Sequence, residues 1–190
     1  FPDLAAGALA HAFDVAAAEL RRLVEKTQFA ISTEETRYYL NGIYLHAVEV
    51  DGATMLRAVA TDGHRLAQAD TAAPKGASGM PGVIVPRKTV AEVQKLLTDS
   101  DGDVKVELST AKIRVSVGTV VLTSKLIDGT FPDYGRVIPT RNDKRLTVEL
   151  QDFARSVDRV STISSDRGRA VKLAMAERKL TLSVNTPDAG

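Results

Sequence analysis

The chain has 190 residues, 44% apolar and 26% charged, which is typical of a globular protein with one large core or two smaller ones. It has no Cys and only three scattered His residues, so the composition excludes disulfides, thiolate metal sites and a Cys nucleophile, and indicates no metal or cofactor. Lys and Arg total 25 against 24 Asp and Glu, so any basic surface must come from local patterning. No apolar run reaches the roughly 20 residues of a membrane span, and the lack of Cys fits a reducing cytoplasm.

Three segments have apolar side chains at helical spacing, and each follows a short strand-like segment. The helices are expected to begin near residues 16, 88 and 151, after strand-like segments at 11–15, 82–86 and 145–150. The apolar positions that share a helical face are Leu20, Leu23, Val24 and Thr27, then Val90, Val93 and Leu97, and finally Phe153, Val157 and Val160.

Strict alternation of apolar and polar residues predicts further strands with one buried face, and therefore antiparallel sheets. It occurs at residues 104–108, 113–117, 146–150 and 180–184. Asp51-Gly52 lies between two apolar runs and predicts a tight hairpin.

A unit of one strand, one helix and further strands thus recurs three times, which predicts an α+β fold of stacked, pseudo-symmetric units. We expect the first two units to form one domain, residues 1–130. The turn formers of "DGTFPDYG", residues 128–135, predict a linker, which we place at residues 131–140, and residues 141–190 open a second domain with the third unit.

The polar faces of the helices carry basic residues, with acidic residues among them. The first helix exposes Arg21, Arg22 and Lys26, beside Glu19 and Glu25. Such a face is either an ordinary solvated surface or a weakly basic surface for phosphates, and charge alone leaves both readings open.

The stretch "ATDGHRLA", residues 60–67, combines an acid, a histidine and a guanidinium. Asp62 and His64 would share a face if they lay on a strand, so a small hydrolase with this pair as its base is one hypothesis. No nucleophile elbow, phosphate-cradling glycine loop or second His accompanies them. The other hypotheses are a structural turn, ordered by hydrogen bonds from Asp62 to the backbone, and a wall of a binding site.

Four strings occur in order: "TRYYLNGIYLH", "ATDGHRLA", "VIVPRK" and "SKLIDGTFPDYGRVIP". Together they resemble the bacterial β sliding clamp family, the beta subunit of DNA polymerase III. The resemblance implies the DNA-clamp fold, with repeated βαβββ units, antiparallel sheets on the outside and helices on the inner face of a ring. It also implies that the chain corresponds to a complete middle domain and the first half of a third domain.

The implied function is that of a processivity factor rather than an enzyme. Such a clamp encircles duplex DNA without reading its sequence and acts in the cytoplasm. It tethers the replicative polymerase, the clamp loader and repair polymerases, which bind through a short peptide motif. The alternative is a shortened clamp-like adaptor that binds peptides without encircling DNA.

The resemblance implies a peptide pocket with apolar walls and a basic rim. Its residues would be Leu40, Thr61, Gly63, His64, Arg65, Leu66, Pro132, Arg136 and Val137. One departure from the family pattern is Gly135, where a second Arg is frequent.

The resemblance also implies a DNA-facing set, in which Tyr can stack on bases and Arg can hold phosphate. Its members would be Arg21, Arg22, Lys26, Arg37, Tyr38, Tyr39, Arg87 and Lys88. At strand spacing Tyr38 and Tyr39 face opposite sides, so one of them is expected in the core. Glu34 is an unfavourable charge beside this set. The dimer interface of the ring would include Thr162 and Ile163, and this chain by itself is expected to be monomeric.

Overall fold

A computed structural model describes residues 8–162 and 170–185. The chain divides into two compact units, Phe1–Asp133 and Tyr134–Gly190, so the division falls within the segment that the sequence predicts as a linker. In the described residues of the first unit, eight strands and two helices follow one another. They are β1 (His11–Ala16), α1 (Ala17–Thr27), β2 (Gly42–Val50), β3 (Ala53–Thr61), β4 (Leu66–Ala72), β5 (Val83–Pro86), α2 (Arg87–Leu97), β6 (Asp103–Leu108), β7 (Lys112–Val117) and β8 (Val120–Lys125).

The two βαβββ units of this domain exchange their first strands. One antiparallel sheet has the order β1-β6-β7-β8, and the other has the order β4-β3-β2-β5. Strand β1 therefore pairs with β6 of the second βαβββ repeat, and β5 pairs with β2 of the first βαβββ repeat. Each βαβββ repeat completes the sheet of the other, which makes the two repeats one folding domain.

The two helices begin in equivalent ways, which supports the internal repeat. The first residue of α1, Ala17, donates its backbone N–H to the carbonyl of Gly102 at 2.9 Å, directly before β6. The first residue of α2, Arg87, donates its N–H to the carbonyl of Asn41 at 2.9 Å, directly before β2. Each bond gives a partner to one of the N–H groups that a helix cannot satisfy by itself.

The helical faces that the spacing predicts are buried between the sheets. In α1 the buried residues include Leu20, Leu23, Val24 and Thr27, and in α2 they include Val90, Val93 and Leu97. They join side chains from both sheets in one continuous core. The predicted hairpin is also present: Val50 pairs with Ala53, and both Asp51 and Gly52 have positive φ, as a two-residue primed turn requires.

The described part of the second unit contains one helix and one hairpin: α3 (Leu150–Ser161), β9 (Lys172–Ala176) and β10 (Lys179–Ser183). The strand predicted at residues 145–150 is absent, and Leu150 is instead the first residue of α3. The equivalent strand β1 exists because β6 pairs with it, whereas no described strand is available to pair with residues 145–149. Alternation alone therefore gave a wrong prediction here, because a strand needs a hydrogen-bonded partner.

Candidate functional site

The connection between β3 and β4, residues Asp62–Arg65, is ordered by its own side chains. Asp62 Oδ1 accepts hydrogen bonds from the backbone N–H of His64 at 2.9 Å and of Arg65 at 3.0 Å. Thr61 Oγ1 accepts from the N–H of Gly63 at 3.1 Å and donates to the carbonyl of Arg65 at 2.7 Å. Gly63 has φ +87°, which a residue with a side chain would adopt only with strain. The turn therefore holds the exposed side chains of His64 and Arg65 on a fixed backbone.

Asp62 is fully occupied by this turn. Its second oxygen, Oδ2, accepts from Arg65 Nε at 3.0 Å. Hydrogen bonds from the Arg65 and His64 backbone, together with the Arg65 guanidinium, hold the pKa of the Asp62 carboxyl below its usual value of 3.8. Asp62 and His64 lie in a turn rather than on a strand, so the shared face assumed for a hydrolase is wrong. The predicted role of Asp62, ordering the turn through backbone hydrogen bonds, is confirmed.

The other predicted pocket residues of the first unit differ in exposure. Leu66 lies opposite Thr61 in the β3–β4 register and is half-buried, and Pro132 is exposed. Leu40 is only 4% exposed, so it offers little surface and its loss would damage the fold. Arg136 and Val137 belong to the second unit, where Tyr134–Arg136 form a short 3-10 turn and Val137 is 69% exposed. Gly135 is exposed in the same turn.

One aromatic residue beside this turn has no sequence pattern that predicts it. Phe29 follows the C-terminus of α1 and is 57% exposed, with the Arg65 guanidinium 5.7 Å from its ring centre. A cation near the face of an aromatic ring is attracted to it. Only the fold brings Phe29 to Arg65, since the two are far apart in sequence and no local pattern joins them.

The segment before β2 lies against the β3–β4 turn. A Cβ on Gly63 would collide with the Arg37 guanidinium, so Arg37 extends over that turn. Arg37 donates to Glu34, at 2.8 Å through Nε, and this bond holds the pKa of the Glu34 carboxyl below its usual value. Glu34, whose charge the sequence analysis treats as unfavourable for DNA contact, is therefore paired with Arg37.

Tyr38 and Tyr39 lie in a 3-10 turn, Tyr38–Leu40, rather than on a strand. Their rings meet edge to face with centres 5.8 Å apart. Tyr38 is 53% exposed and Tyr39 is half-buried, whereas Leu40 is the buried residue of the turn. The expectation that one tyrosine belongs to the core is therefore wrong, because three residues per turn direct the third side chain inward instead.

Arg87 and Lys88 are the first two residues of α2, and both are exposed. The bond from the Arg87 N–H to the Asn41 carbonyl joins this helix start to the end of the Tyr38–Leu40 turn. The positive end of the helix macrodipole disfavours cations in the first turn, and α2 has no acid there. The stability of α2 therefore does not explain why its first turn carries two bases.

The three bases of α1 have different environments. Arg21 donates through Nε to the carbonyl of Leu97 at 2.9 Å and through Nη2 to the carbonyl of Ser100 at 2.7 Å, and so caps the C-terminus of α2. Arg22 donates to Glu19 at 3.0 Å and to the carbonyl of Asp70. Lys26 is exposed in the last turn.

Thr162 is exposed after the end of α3, with its hydroxyl donating to the carbonyl of Asp158 at 3.0 Å, and Ile163 lies outside the described residues. Within residues 8–162 and 170–185 no three His, Asp or Glu side chains are grouped to hold a metal ion. None of the helices described is long and apolar enough to cross a membrane.

Comparisons with known proteins agree along the whole chain. Residues 14–133 match the family model of the DNA polymerase III beta subunit, central domain, and residues 135–190 match that of its C-terminal domain. The beta sliding clamp of Caulobacter vibrioides is 54% identical over 190 residues, covering 100% of this chain and 51% of that protein. The beta sliding clamp of Escherichia coli K12 is 40% identical over 178 residues, covering 93% of this chain and 47% of that protein.

A solved structure gives the same result. The crystal structure of a sliding clamp (DNA polymerase III subunit beta) from Bartonella birtlesii, bound to griselimycin, has a TM-score of 0.94 and 62% identity. The match covers 100% of this chain and 51% of that chain. The protein described here therefore spans about half the length of the relatives that it matches.

Proposed function

On the premise that the chain belongs to the DNA polymerase III beta subunit family, we propose that it is part of a sliding clamp, the processivity factor of a replicative polymerase. The observation that carries the proposal is the match of two consecutive domain models, in family order, over residues 14–133 and 135–190. In this proposal residues 1–130 are the middle domain, residues 131–140 the linker, and residues 141–190 the first half of the third domain. The complete clamp would be a homodimeric ring in the cytoplasm, with Thr162 and Ile163 at its subunit interface.

The ring would hold duplex DNA without reading its sequence. Two neighbouring elements support contact with DNA: the Arg37–Tyr39 segment and the start of α2. Tyr38 presents an exposed ring for stacking, and Arg87 and Lys88 present exposed cations. Lys26 would add a phosphate contact. Arg21 and Arg22 would contribute mainly to the local field, because their side chains already donate to the protein.

The pocket at the β3–β4 turn would bind a short peptide motif of the polymerase, the clamp loader and repair polymerases. His64 and Arg65 stand exposed on a rigid turn, which suits the rim of such a pocket. Sliding clamps from Bartonella birtlesii and Pseudomonas aeruginosa bound to griselimycin support a ligand site in this family. A non-enzymatic role agrees with Asp62, whose lowered pKa makes it a poor general base.

A chimera tests the function directly. Residues 8–185 of this chain would replace the matching half of the Caulobacter vibrioides clamp, and primer extension by a clamp-dependent polymerase would be measured on a long template. We expect products as long as those made with the parent clamp. A chimera that forms a ring but leaves the polymerase distributive contradicts the proposal. If that chimera still bound griselimycin, a clamp-like adaptor would explain the chain better.

The DNA contacts are tested by anisotropy of a labelled duplex across a salt series. Exchanging Arg87 and Lys88 for Glu should reduce the slope of log affinity against log salt by about 2, since each lost phosphate contact removes about 0.9. Exchanging Glu34 for Gln should increase affinity, because it releases Arg37 from its ion pair. Lys125→Glu on β8 is the control for a simple change in charge, and an equal effect there would contradict the assigned contacts.

The pocket is tested by calorimetric titration with griselimycin. Val137→Glu should abolish binding without loss of stability, because Val137 is 69% exposed. His64→Ala should weaken binding less, as expected of a rim residue. Leu40 is a poor probe, since a charge at this buried position would disrupt the fold. Unchanged affinity in a folded Val137→Glu variant would refute the assigned pocket.

A further inference from the structure

The sheet β4-β3-β2-β5 carries a second apolar cluster on the face turned away from the core. Val59 and Ile84 are buried, 0% and 2% exposed, yet they do not belong to the core between the sheets. Both lie opposite Tyr44 in the strand register, so the three share one face. Their neighbours in sequence, Ala58 and Val83, belong to the core instead, as alternation requires.

Phe131 closes this outer cluster. Its ring stacks on Tyr44 with centres 4.9 Å apart and planes 5° apart, and only 8% of Phe131 is exposed. The Tyr44 ring also stacks on His46, with centres 4.6 Å apart. Gly82 leaves room for the Tyr44 hydroxyl, with which any Cβ at that position would collide. A segment predicted as linker is therefore anchored by an aromatic side chain at its first residue.

The backbone before Phe131 is fixed as well. Leu126 donates its N–H to the carbonyl of Ala111 at 2.9 Å, and Ile127 donates to the carbonyl of Ile84 at 3.0 Å. A Cβ on Gly129 would lie 3.1 Å from the Cβ of Tyr39, so the chain passes close over the Tyr38–Leu40 turn. Two hydrogen bonds at one end and a ring stack at the other thus define the path of residues 126–131.

We propose that Tyr44 is a positioning residue for the peptide site: its stack with Phe131 holds the adjoining Pro132, an exposed wall of that site, where a ligand meets it. The inference rests on the proposed function, since it assigns a role within that pocket. Tyr44 acts through Phe131, because the two rings stack face to face and Phe131 directly precedes Pro132 in the chain. A stacked aromatic pair contributes beyond its buried area, and losing it releases Pro132 from its fixed place.

The test compares Tyr44→Leu with Tyr44→Phe and with Val115→Ala, a core control in the other sheet. Calorimetry with griselimycin measures affinity, hydrogen–deuterium exchange measures residues 126–133, and thermal unfolding measures stability. We expect Tyr44→Leu to weaken affinity by about fivefold to tenfold and to speed exchange in residues 126–133. Tyr44→Phe should restore both, because the stack needs the ring alone. Val115→Ala should lower the melting temperature and leave affinity unchanged.

The outcomes separate the inference from the proposed function. A parent chain that does not bind griselimycin overturns the peptide site and, with it, the role of Tyr44 there. A parent that binds, with a Tyr44→Leu variant of equal affinity, overturns the inference alone. Weaker affinity with unchanged exchange at residues 126–133 also overturns it, since the loss would then not pass through this segment.

Discussion

Helices α1 and α3 have the same apolar spacing, but only the apolar face of α1 is buried. In α1 that face is buried: Leu23 is 1% exposed and Leu20 is 7% exposed, beneath the sheets and beside α2. In α3 no residue is buried, although Phe153 and Val157 occupy comparable positions. Along the described residues after Phe131 no side chain is buried, and Leu150 and Met175 are 75% and 60% exposed. Burial therefore depends on a partner element as much as on the helix itself.

The second unit contains an open groove, which also shows that α3 lacks a covering element on that side. In the described residues the groove is lined by α3, by β10 and by the irregular segment before the helix: Val148, Glu149, Asp152, Phe153, Ser156, Leu180 and Leu182. In the first unit the equivalent side of each helix faces a four-stranded sheet. The first unit should consequently have most of the stability of this chain, and the following predictions are arranged to test that difference.

The largest contrast is expected between core truncations in the two units. Leu56→Ala, at a site that is 0% exposed, should cost about 3–4 kcal/mol of unfolding free energy. Phe153→Ala on α3 should cost less, about 1–2 kcal/mol, because Phe153 is only partly buried. Urea unfolding followed by circular dichroism measures both. Equal losses would mean that α3 is packed as tightly as the first unit.

Two arginines on these helices provide the next contrast. Arg21→Ala removes two hydrogen bonds that cap α2 and should cost about 1.5–3 kcal/mol, as expected for partly buried bonds from a charged donor. Arg155→Ala removes an exposed pair with Asp152 and should leave stability unchanged within error. Arg21→Lys should recover only part of the loss, since one ammonium cannot reproduce the fork geometry. The same urea titration measures these changes. If Arg21→Ala left the free energy of unfolding unchanged, the stabilising cap assigned to Arg21 would be contradicted.

The two-residue hairpin turns should respond in opposite directions. Gly52 in the first unit has φ +80°, so Gly52→Ala should cost about 1 kcal/mol. Arg178 in the β9–β10 turn has φ +56° although it is not a glycine, so Arg178→Gly should stabilise that hairpin by up to about 1 kcal/mol. Amide exchange in the two hairpins measures each effect locally. Destabilisation by Arg178→Gly would show that its side chain contributes more than the backbone strain costs.

The smallest effect concerns pH and the β3–β4 turn. The folded pKa of Asp62 lies below its ordinary value of 3.8, so the unfolded state binds its proton more readily. The stability from this carboxylate is therefore fully present above about pH 5 and is lost as pH falls through the folded pKa. Asp62→Ala should cost about 1 kcal/mol at neutral pH and progressively less below pH 4. Melting temperatures from pH 2.5 to 7 check this, and a difference that is constant with pH would contradict the assigned hydrogen bonds.

Much of the fold could be predicted from local patterns. The buried faces of α1 and α2, the strands at residues 104–108 and 113–117, and the Asp51-Gly52 hairpin all follow from side-chain periodicity and backbone preference. The role of Asp62 in its own turn could be predicted for the same reason, since the backbone N–H groups that donate to its carboxylate lie within three residues. The four family strings also indicated the DNA-clamp fold and the family, which the comparisons confirm.

The predictions that failed concern segments whose structure depends on distant partners. Residues 145–150 alternate like a strand but have no described strand to pair with. Strand spacing predicts that Tyr38 and Tyr39 face opposite sides, whereas the segment forms a 3-10 turn in which Leu40 is the buried residue.

By itself, the sequence determined which residues form the helices of the first domain, which of their faces are apolar and where its tightest turns lie, because these properties arise within a few neighbouring residues. Only the tertiary structure decided that β1 and β5 exchange sheets, that Arg21 caps a helix 76 residues away, and that Phe131 anchors on Tyr44. Such contacts join segments that are remote in the chain. They form only when the whole domain folds, because its total interactions must offset the entropy lost in bringing those segments together. No local pattern therefore encodes them.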